Sequence, residues 1–453
     1  MNAPTRLSSL IARLALAVLA VAATSAFGGM TAEEAARLGK DLTPLGAERA
    51  GNPAGTIPAW TGGLTKAPAG FDPTMGYADP FANEKPLYTI AAANMAQYAN
   101  VLAAGQMELM KRYPAYKINV YPTHRTAAFP QSVYDAAKAE GTAAALTGGG
   151  TGVANVSKTT VPFPVPKAGV EVVWNHMMRF RGGNFVRHSA EFPVQTNGSF
   201  TPLTRSEYVA QAAVLDKPEP NRMMYAVFKV TGPSSQAGEL DLLHSPQDQT
   251  KEPNQIWVYN AGQRRVLRAP DLCCDTPGQG SDGLRTTDDY DGFFGPTDRY
   301  DWTLAGKKEM LISYNNYRLN SKSLKYTDMV LPTNLNPDLV RYELHRVWVV
   351  EATLKKGMRH AYAKRTFYFD EDSWQLVHAD QYDGRGELWR VHEVHGMQFY
   401  DVPMAYNTGD VVYDLQARRY VVVGMTNQEK PMKFGLNQGL AFFSTDNLRR
   451  LAN

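Results

Sequence analysis

Alternation of apolar and polar residues with a period of two runs through the chain from about residue 170, and it limits the fold more than any other feature. The turns between the alternating runs are short, for example Asn260-Ala261-Gly262 and Asp383-Gly384-Arg385-Gly386. Connections of this length require antiparallel neighbours. With no strand–helix–strand alternation, the pattern predicts a large antiparallel meander. The candidate strands are 170–180, 184–195, 223–231, 239–244, 255–260, 264–268, 306–314, 341–354, 361–369, 374–382, 387–401, 410–414 and 419–426.

The segment 342–354 shows how such a sheet is expected to bury its surface. One face carries Tyr342, Leu344, Arg346, Trp348, Val350, Ala352 and Leu354, and the other carries Glu343, His345, Val347, Val349, Glu351 and Thr353. A mainly apolar face opposite a mixed face is typical of a sheet with one buried and one wetted side. Helical spacing over 88–112 and 132–146 predicts two helices that cover the apolar face and leave a cavity.

The predicted organisation has four parts. Residues 1–26 form a signal peptide, 27–86 an extended N-terminal arm, 87–165 a helical segment over the sheet, and 166–453 the antiparallel sheet with an acidic loop at 270–302. The arm begins with a predicted short helix at 31–40, for which Thr31 and Glu34 have the spacing of a capping box.

The first 26 residues have the pattern of a cleavable secretory signal. Arg6 and Arg13 are followed by the apolar run 14–22 and by the small residues Thr24-Ser25-Ala26. The run is too short to span a bilayer as a helix, and an N-terminal membrane anchor is the alternative. We expect a periplasmic protein that touches a membrane peripherally, in association with the outer membrane, and does not insert into it.

The charge balance argues against nucleic acid as a partner. The chain has 47 basic and 44 acidic residues, and loss of the signal removes two Arg and no acid, which leaves 45 against 44. Nucleic-acid binding needs a concentrated basic surface. The 23 Tyr and 7 Trp indicate a chain with a sizeable core.

Two adjacent cysteines, Cys273 and Cys274, are the only cysteines of the chain. An oxidising compartment favours disulfides, but adjacent residues can form only a strained ring. The pattern therefore favours two incidental thiols in a loop over a vicinal disulfide that stiffens the loop or responds to redox conditions.

No catalytic motif is complete. Gly280-Ser281-Asp282-Gly283 lacks the glycine two places before the serine of a nucleophile elbow. His392-Glu393-Val394-His395 is one residue too short for a zincin helix. We predict no enzyme activity, no cofactor and no metal.

Seven aspartates lie between residues 275 and 301, among glycines and aromatic residues. Clustered carboxylates suit Ca²⁺, but the EF-hand spacing is missing, and Arg285 and Arg299 are close enough in sequence to pair with the acids. The pattern favours a salt-bridged loop over a calcium site. Its length also makes it a candidate lid over a cavity. The aspartates are Asp275, Asp282, Asp288, Asp289, Asp291, Asp298 and Asp301.

Four segments together resemble the DUF1329 family of exported proteobacterial proteins, which are grouped with outer-membrane lipoprotein-sorting proteins of the LolA/LolB type. The resemblance implies a mainly β fold with helices (α+β), in which a curved antiparallel half-barrel wraps around helices and an apolar cavity accepts acyl chains. It also implies association with RND exporters of the MMPL kind and with outer-membrane partners. Cys273-Cys274 departs from the expected pattern. The segments are LTPLGAERAGNPAGTIPAWTGG (42–63), RRVLRAPDLCCDTPGQGSDGLRTTDDYDGFFGPTDRYDW (264–302), LHRVWVVEATLKKGMRHAYAKRTFYFDEDSWQ (344–375) and YDGRGELWRVHE (382–393).

Candidate ligand contacts follow from residue type. Bulky apolar residues in or near the predicted strands either line a cavity or fill a core, and the sequence leaves both open: Trp174, Phe180, Phe228, Trp257, Trp348, Phe367, Phe369, Trp374 and Trp389. Arg179, Arg346 and Arg390 are candidates for an anionic headgroup, although pairing with acids on neighbouring strands is the commoner role. Trp60 in the arm, with Asp288 and Asp291 in the loop, are the lid and arm candidates. The arm with Trp60 either plugs the barrel or engages a partner, or burial of Trp60 simply ties the arm down.

These features predict a periplasmic carrier for a lipid or another hydrophobic molecule. The alternative is an envelope adaptor whose groove binds a segment of a partner protein. A hydrolase is a third hypothesis, which lacks a visible nucleophile.

Overall fold

The computed structural model describes residues 28–270 and 272–452. The predicted signal peptide, residues 1–26, lies outside the described residues. Within the described ranges, the helices are too short or too polar to cross a bilayer.

The described residues form a sheet of sixteen strands and a separate two-stranded hairpin, β3–β4. The strands are β1 (Tyr88–Ile90), β2 (Ile118–Val120), β3 (Ala145–Thr147), β4 (Gly152–Ala154), β5 (Asn184–Val194), β6 (Leu203–Gln211), β7 (Met224–Gly232), β8 (Leu240–Ser245), β9 (Gln255–Asn260), β10 (Arg265–Arg268), β11 (Tyr300–Ser313), β12 (Tyr342–Leu354), β13 (Lys364–Asp370), β14 (Leu376–Tyr382), β15 (Leu388–Phe399), β16 (Met404–Asp414), β17 (Arg419–Met425) and β18 (Lys433–Phe434).

The main sheet consists of two antiparallel meanders placed side by side. Strands β5 to β10 form one meander and β11 to β17 the other, and β17 pairs with β5 to join them. β2 touches the start of β12 through one parallel pair, Tyr342 with Val120. In the described ranges no ladder joins β10 to β11, so the sheet remains open.

Irregular registers bend the sheet. A β-bulge adds a residue on one strand, which kinks that strand and increases its twist. These register shifts, together with the open edge, give the curved antiparallel half-barrel that the sequence predicted. Register shifts occur at Leu304/Gly306, Tyr368/Phe369, Gln381/Tyr382, His395/Gly396, Val422/Met425 and Thr204/Arg205.

Among the residues that the structure describes, six α-helices accompany the sheet: α1 (Ala32–Arg37), α2 (Ala104–Arg112), α3 (Gln131–Glu140), α4 (Gly169–Met178), α5 (Tyr326–Met329) and α6 (Thr445–Ala452). Helix α4 packs inside the curve against β11 and β12, and all ten of its residues are buried. The predicted strand 170–180 is therefore wrong. A helix buried on all sides has no polar face, so its β-branched residues resemble a buried strand in the sequence.

The other helix predictions were met to different degrees. The capping box of α1 is confirmed, because Glu34 N donates to Thr31 Oγ1 at 3.1 Å and Thr31 N donates to Glu34 Oε2 at 2.7 Å. The predicted helix 88–112 is wrong as one element, since it divides into β1, a 3₁₀ turn at Met95–Val101 and α2. The predicted helix 132–146 ends early, with α3 finishing at Glu140.

The first half of the second face of β12 is buried, against expectation, whereas Thr353 near the end of that face is exposed. Glu343, His345 and Val347 are all at most 1% exposed. The segment that follows β2 covers Glu343, since His124 N donates to Glu343 Oε2 at 2.8 Å.

Helix α2 packs against β14 and β15, where Gly105 permits the close approach. A Cβ at Gly105 would lie 2.3 Å from Asp380 Oδ1, while Gly105 N donates to that oxygen at 3.0 Å.

Helix α6 covers the outer face of the first meander. Leu448 is fully buried in a cluster with Tyr225 and Leu242 of the sheet. The C-terminal helix therefore stabilises strands β7 to β9 from the side opposite α4.

Leu448→Ala is expected to lower the free energy of unfolding by about 2–5 kcal/mol, because it removes buried methyl groups and leaves a cavity. Urea unfolding followed by tryptophan fluorescence measures the change. Leu87→Ala is the matched control, since Leu87 is 64% exposed, and it is expected to stay within about 0.5 kcal/mol of the parent. Equal effects of the two substitutions would contradict this role of α6.

Candidate functional site

A cavity of about 330 Å³ lies between the inner face of the first meander and the loop that connects β10 to β11. Ligand pockets commonly run from about 300 to about 1,000 Å³. A void near the middle of the half-barrel, which Ser313 and Tyr314 help to line, measures only about 20 Å³. The space for a ligand is therefore at one end of the sheet and not at its centre.

The sheet side of the cavity is built by alternation along three neighbouring strands. Phe228 of β7 stands opposite Asp241 of β8, and Leu243 of β8 stands opposite Ile256 of β9. These residues and Val258 are half-buried and line the space. Along these three strands the wall is apolar except at Asp241, and Arg205 of β6 adds a cation that is paired with Glu191.

The loop provides the other wall. Its aromatic contribution is Tyr290 and Phe294, and Leu272 adds an aliphatic side chain. Tyr290 packs edge-on against Phe228, with 5.6 Å between the ring centroids. Sheet and loop therefore meet through aromatic contact at one side of the cavity.

Cys273 and Cys274 are joined by a disulfide, and both line the cavity. The expectation of two unpaired thiols is wrong. The bond makes this part of the loop wall an apolar surface, because an oxidised pair offers no thiol to the space.

Buried ion pairs fix the loop inside the half-barrel. Asp291 accepts hydrogen bonds from Arg179 at 2.7 Å and from the Arg181 Nε at 3.0 Å. Asp288 accepts from Arg365 at 2.7 Å. Burial alone would raise the pKa of each acid, but the guanidinium groups outweigh it. They hold the pKa of Asp291 well below its ordinary value, and Arg365 brings that of Asp288 to about 2.

The lid and arm candidates thus have structural partners. Asp288 and Asp291 anchor the loop as a cavity wall, and Asp289 accepts from Gln381 at 2.6 Å. Hydrogen bonds also hold the arm. Trp60 Nε1 donates to Ala127 O at 2.9 Å, and Trp374 Nε1 donates to the Leu45 carbonyl of the arm at 3.0 Å.

The candidate headgroup arginines are also paired. Arg179 binds Asp291, Arg346 donates to Glu371 at 3.2 Å, and Arg390 Nε donates to Asp414 at 2.9 Å. Their charges are neutralised by the protein, which is the commoner role that the sequence left open.

Of the nine candidate cavity residues, Phe228 lines the space. Five are buried in the main core: Trp174, Phe180, Phe367, Phe369 and Trp374. Trp348 stacks on Trp374 with 6.3 Å between centroids. Trp257 packs on the outer face with His244, and Trp389 Nε1 donates to Asp414 at 3.0 Å. As a group they fill cores more than they line a site.

Sequence reasoning missed Asp241, Leu243, Ile256 and Val258. The period-two pattern over 239–244 and 255–260 places these residues on common faces. Which face is inward depends on the curvature and on the loop, and neither has a local signal.

Asp241 differs from the other acids around the cavity. Among the described residues, none donates a hydrogen bond to its carboxylate or forms an ion pair with it. Burial raises its pKa from the ordinary 3.8 to about 6, although the charge of Arg205 acts in the opposite direction. A carboxyl group that is half-buried and unpaired is costly in the folded state.

Elsewhere in the fold, His345, Asp370 and Asp372 bring ligand atoms within 4.8 Å of one another. Arg125 donates to both oxygens of Asp372, at 2.8 and 2.6 Å, and His345 Nε2 lies 3.1 Å from Glu343. The positive charge of the Arg125 guanidinium therefore already compensates these acidic groups.

Asp291→Asn is expected to destabilise the fold by about 3–5 kcal/mol, because two buried guanidinium groups lose their counter-charge. Urea unfolding measures the loss, and hydrogen exchange over 287–296 should rise with it. Asp301→Asn, at an exposed aspartate, is the control. A loss below about 1 kcal/mol would show that the loop is held by other contacts.

Asp241→Asn is expected to stabilise the protein at pH 7.5 and to leave it unchanged near pH 4. The folded state holds the Asp241 proton up to about pH 6, whereas the unfolded chain releases it near 3.9. Stability from this group is therefore complete below pH 4 and falls as the pH rises through 6. Thermal melting of both proteins from pH 4 to 8 checks the sign, and a gain at pH 4 as large as at pH 7.5 would refute it.

Comparison with known proteins places the chain in a family. The model of the family described as "Protein of unknown function (DUF1329)" matches residues 89–449. The protein named "Uncharacterized protein PA3922" from Pseudomonas aeruginosa is 48% identical over 417 residues, with 91% of each chain covered.

Solved structures similar to this one have low sequence identity. An outer membrane lipoprotein-sorting protein domain from Vibrio parahaemolyticus has a TM-score of 0.44 and 14% identity, and it covers 62% of this chain and 98% of its own. A DUF1329 family protein from Desulfovibrio piger has a TM-score of 0.41 and 15% identity, covering 59% and 92%. A LolA superfamily protein from Nitrosomonas europaea has a TM-score of 0.38 and 12% identity, covering 62% and 99%.

Since the family model matches most of the sequence and a relative is 48% identical over 417 residues, this chain belongs to the DUF1329 family.

Proposed function

We propose that this chain is a periplasmic carrier that binds a lipid or another hydrophobic molecule in the cavity between the first meander and the loop. The observation that carries the proposal is the cavity of about 330 Å³ with mainly apolar walls. Burial of apolar ligand surface contributes about 25 cal/mol per Å², so a chain laid along these walls has a substantial driving force.

The placement of the cavity suits a carrier. It lies beside the edge strand β10, where the sheet is open, and the loop that forms its second wall joins this edge to β11. A ligand could enter or leave at this edge without separation of paired strands. Release requires a recipient with higher affinity or a partner that favours a more open loop.

An RND/MMPL-type exporter and an outer-membrane protein are the partners that we propose for loading and delivery. This part of the proposal follows from the family resemblance. The adaptor alternative, in which a partner segment occupies the groove, is an outcome that the binding experiment distinguishes.

We also propose that the protein has no catalytic role. Ser313 Oγ lies 2.6 Å from His395 Nδ1, a contact that could suggest a hydrolase. Both residues are buried, and burial lowers the pKa of His395 to about 3. The adjoining void of about 20 Å³ leaves no room for an ester substrate.

Leu243→Trp is expected to weaken ligand binding at least about tenfold, because the indole fills the cavity. The probe is N-phenyl-1-naphthylamine, a neutral dye whose fluorescence rises in apolar surroundings. Leu87→Trp adds the same indole at an exposed site and should leave binding unchanged.

Native mass spectrometry of detergent-free protein from periplasm, followed by organic extraction, is expected to show a stoichiometric hydrophobic adduct. A clean apo mass together with no dye uptake would refute the carrier proposal. A stable protein complex without lipid would then favour the adaptor.

A further inference from the structure

The charged groups around the cavity are paired within the protein, with one exception. Arg205 donates to Glu191 at 2.6 Å, and Arg285 donates to both oxygens of Glu191 at 2.8 and 3.0 Å. Asp288 is held by Arg365. Of the charged residues that line the cavity, Asp241 alone forms no hydrogen bond or ion pair with another side chain among the described residues.

The position of Asp241 directs its carboxylate at the ligand. It lies on the inner face of β8, between Phe228 of β7 and Val258 of β9 in the cross-strand register. These two cross-strand partners are apolar, and the cavity, which Arg205 of β6 also lines, is the open space beside Asp241. A purely apolar ligand would leave this carboxylate unpaired and further desolvated, at a considerable cost.

We propose that the cavity binds an amphiphile with a protonated amine as its head, whose nitrogen donates to the Asp241 carboxylate while its hydrocarbon chain lies along Phe228, Leu243 and Tyr290. This inference rests on the proposed function and specifies its ligand class. A charge-assisted hydrogen bond shielded from water gives the head a defined position.

An amphiphile with a carboxylate head is the competing ligand class. Two guanidinium groups, those of Arg205 and Arg285, share the single acid Glu191, so their positive charge is only partly balanced by it. Both guanidinium groups direct donors at Glu191, and an anionic head would also meet the negative charge of Asp241. The amine is therefore the better match to this site, and the two heads can be compared directly.

The experiment displaces N-phenyl-1-naphthylamine with dodecylamine, dodecanol and dodecanoate at pH 7.5, so that the three probes share one chain length. Dodecylamine is expected to displace the dye at a concentration about tenfold below that of dodecanol, the factor that about 1.4 kcal/mol supplies. Dodecanoate should be the weakest of the three.

Three variants assign the effect to the carboxylate. Asp241→Asn should remove the advantage of dodecylamine and leave dodecanol within about twofold of its parent value, a small change in binding energy. Asp241→Glu should restore part of the advantage. Asp301→Asn removes an exposed aspartate and should change none of the three, and thermal melting verifies that each variant folds.

The two proposals fail in different ways. If the dye does not bind the parent protein at all, the carrier proposal fails and the ligand class fails with it. If the dye binds but dodecylamine has no advantage, if dodecanoate is strongest, or if Asp241→Asn keeps the preference, the amine class is wrong while a hydrophobic carrier stands.

Discussion

The buried pairing of Asp291 with Arg179 and Arg181 is the interaction on which the rest of this structure depends. It links the end of the central helix α4 to the loop between β10 and β11. The three charged groups are almost completely removed from water, so each is tolerable only while the others stay in place. The loop can form a cavity wall because this contact, with Asp288 and Arg365, holds it inside the curve.

The cavity is therefore a joint product of sheet geometry and loop anchoring. Alternation along β7 to β9 presents apolar side chains inward, and the loop brings Tyr290, Phe294 and the disulfide to face them. Most of the half-barrel interior is filled by α4 and the aromatic core. The remaining space lies at one end of the sheet, where β10 is the terminal strand of the sheet among the described residues.

The sequence predicted the architecture well because period-two alternation and short turns are local signals. It predicted the antiparallel half-barrel and the capped helix α1. It failed at α4, whose uniform burial removes the helical period, and it did not locate most of the residues that line the cavity. Trp174 and Trp374 are bulky apolar residues of the kind that can line a cavity, but they pack in the core. Asp241 was overlooked because only the tertiary fold shows that its neighbours leave it unpaired.

The joining of the two meanders has a consequence for how the chain acquires its structure. Strand β5 is the first long strand in the sequence, yet one of its neighbours is β17, with Val194 paired to Tyr420. Contacts between such distant parts of a chain are slow to form. While the chain is still emerging, β5 presents an unpaired edge that invites association with other chains. Folding of this protein should therefore be limited by the late pairing of its C-terminal strands and should be sensitive to its concentration while it folds.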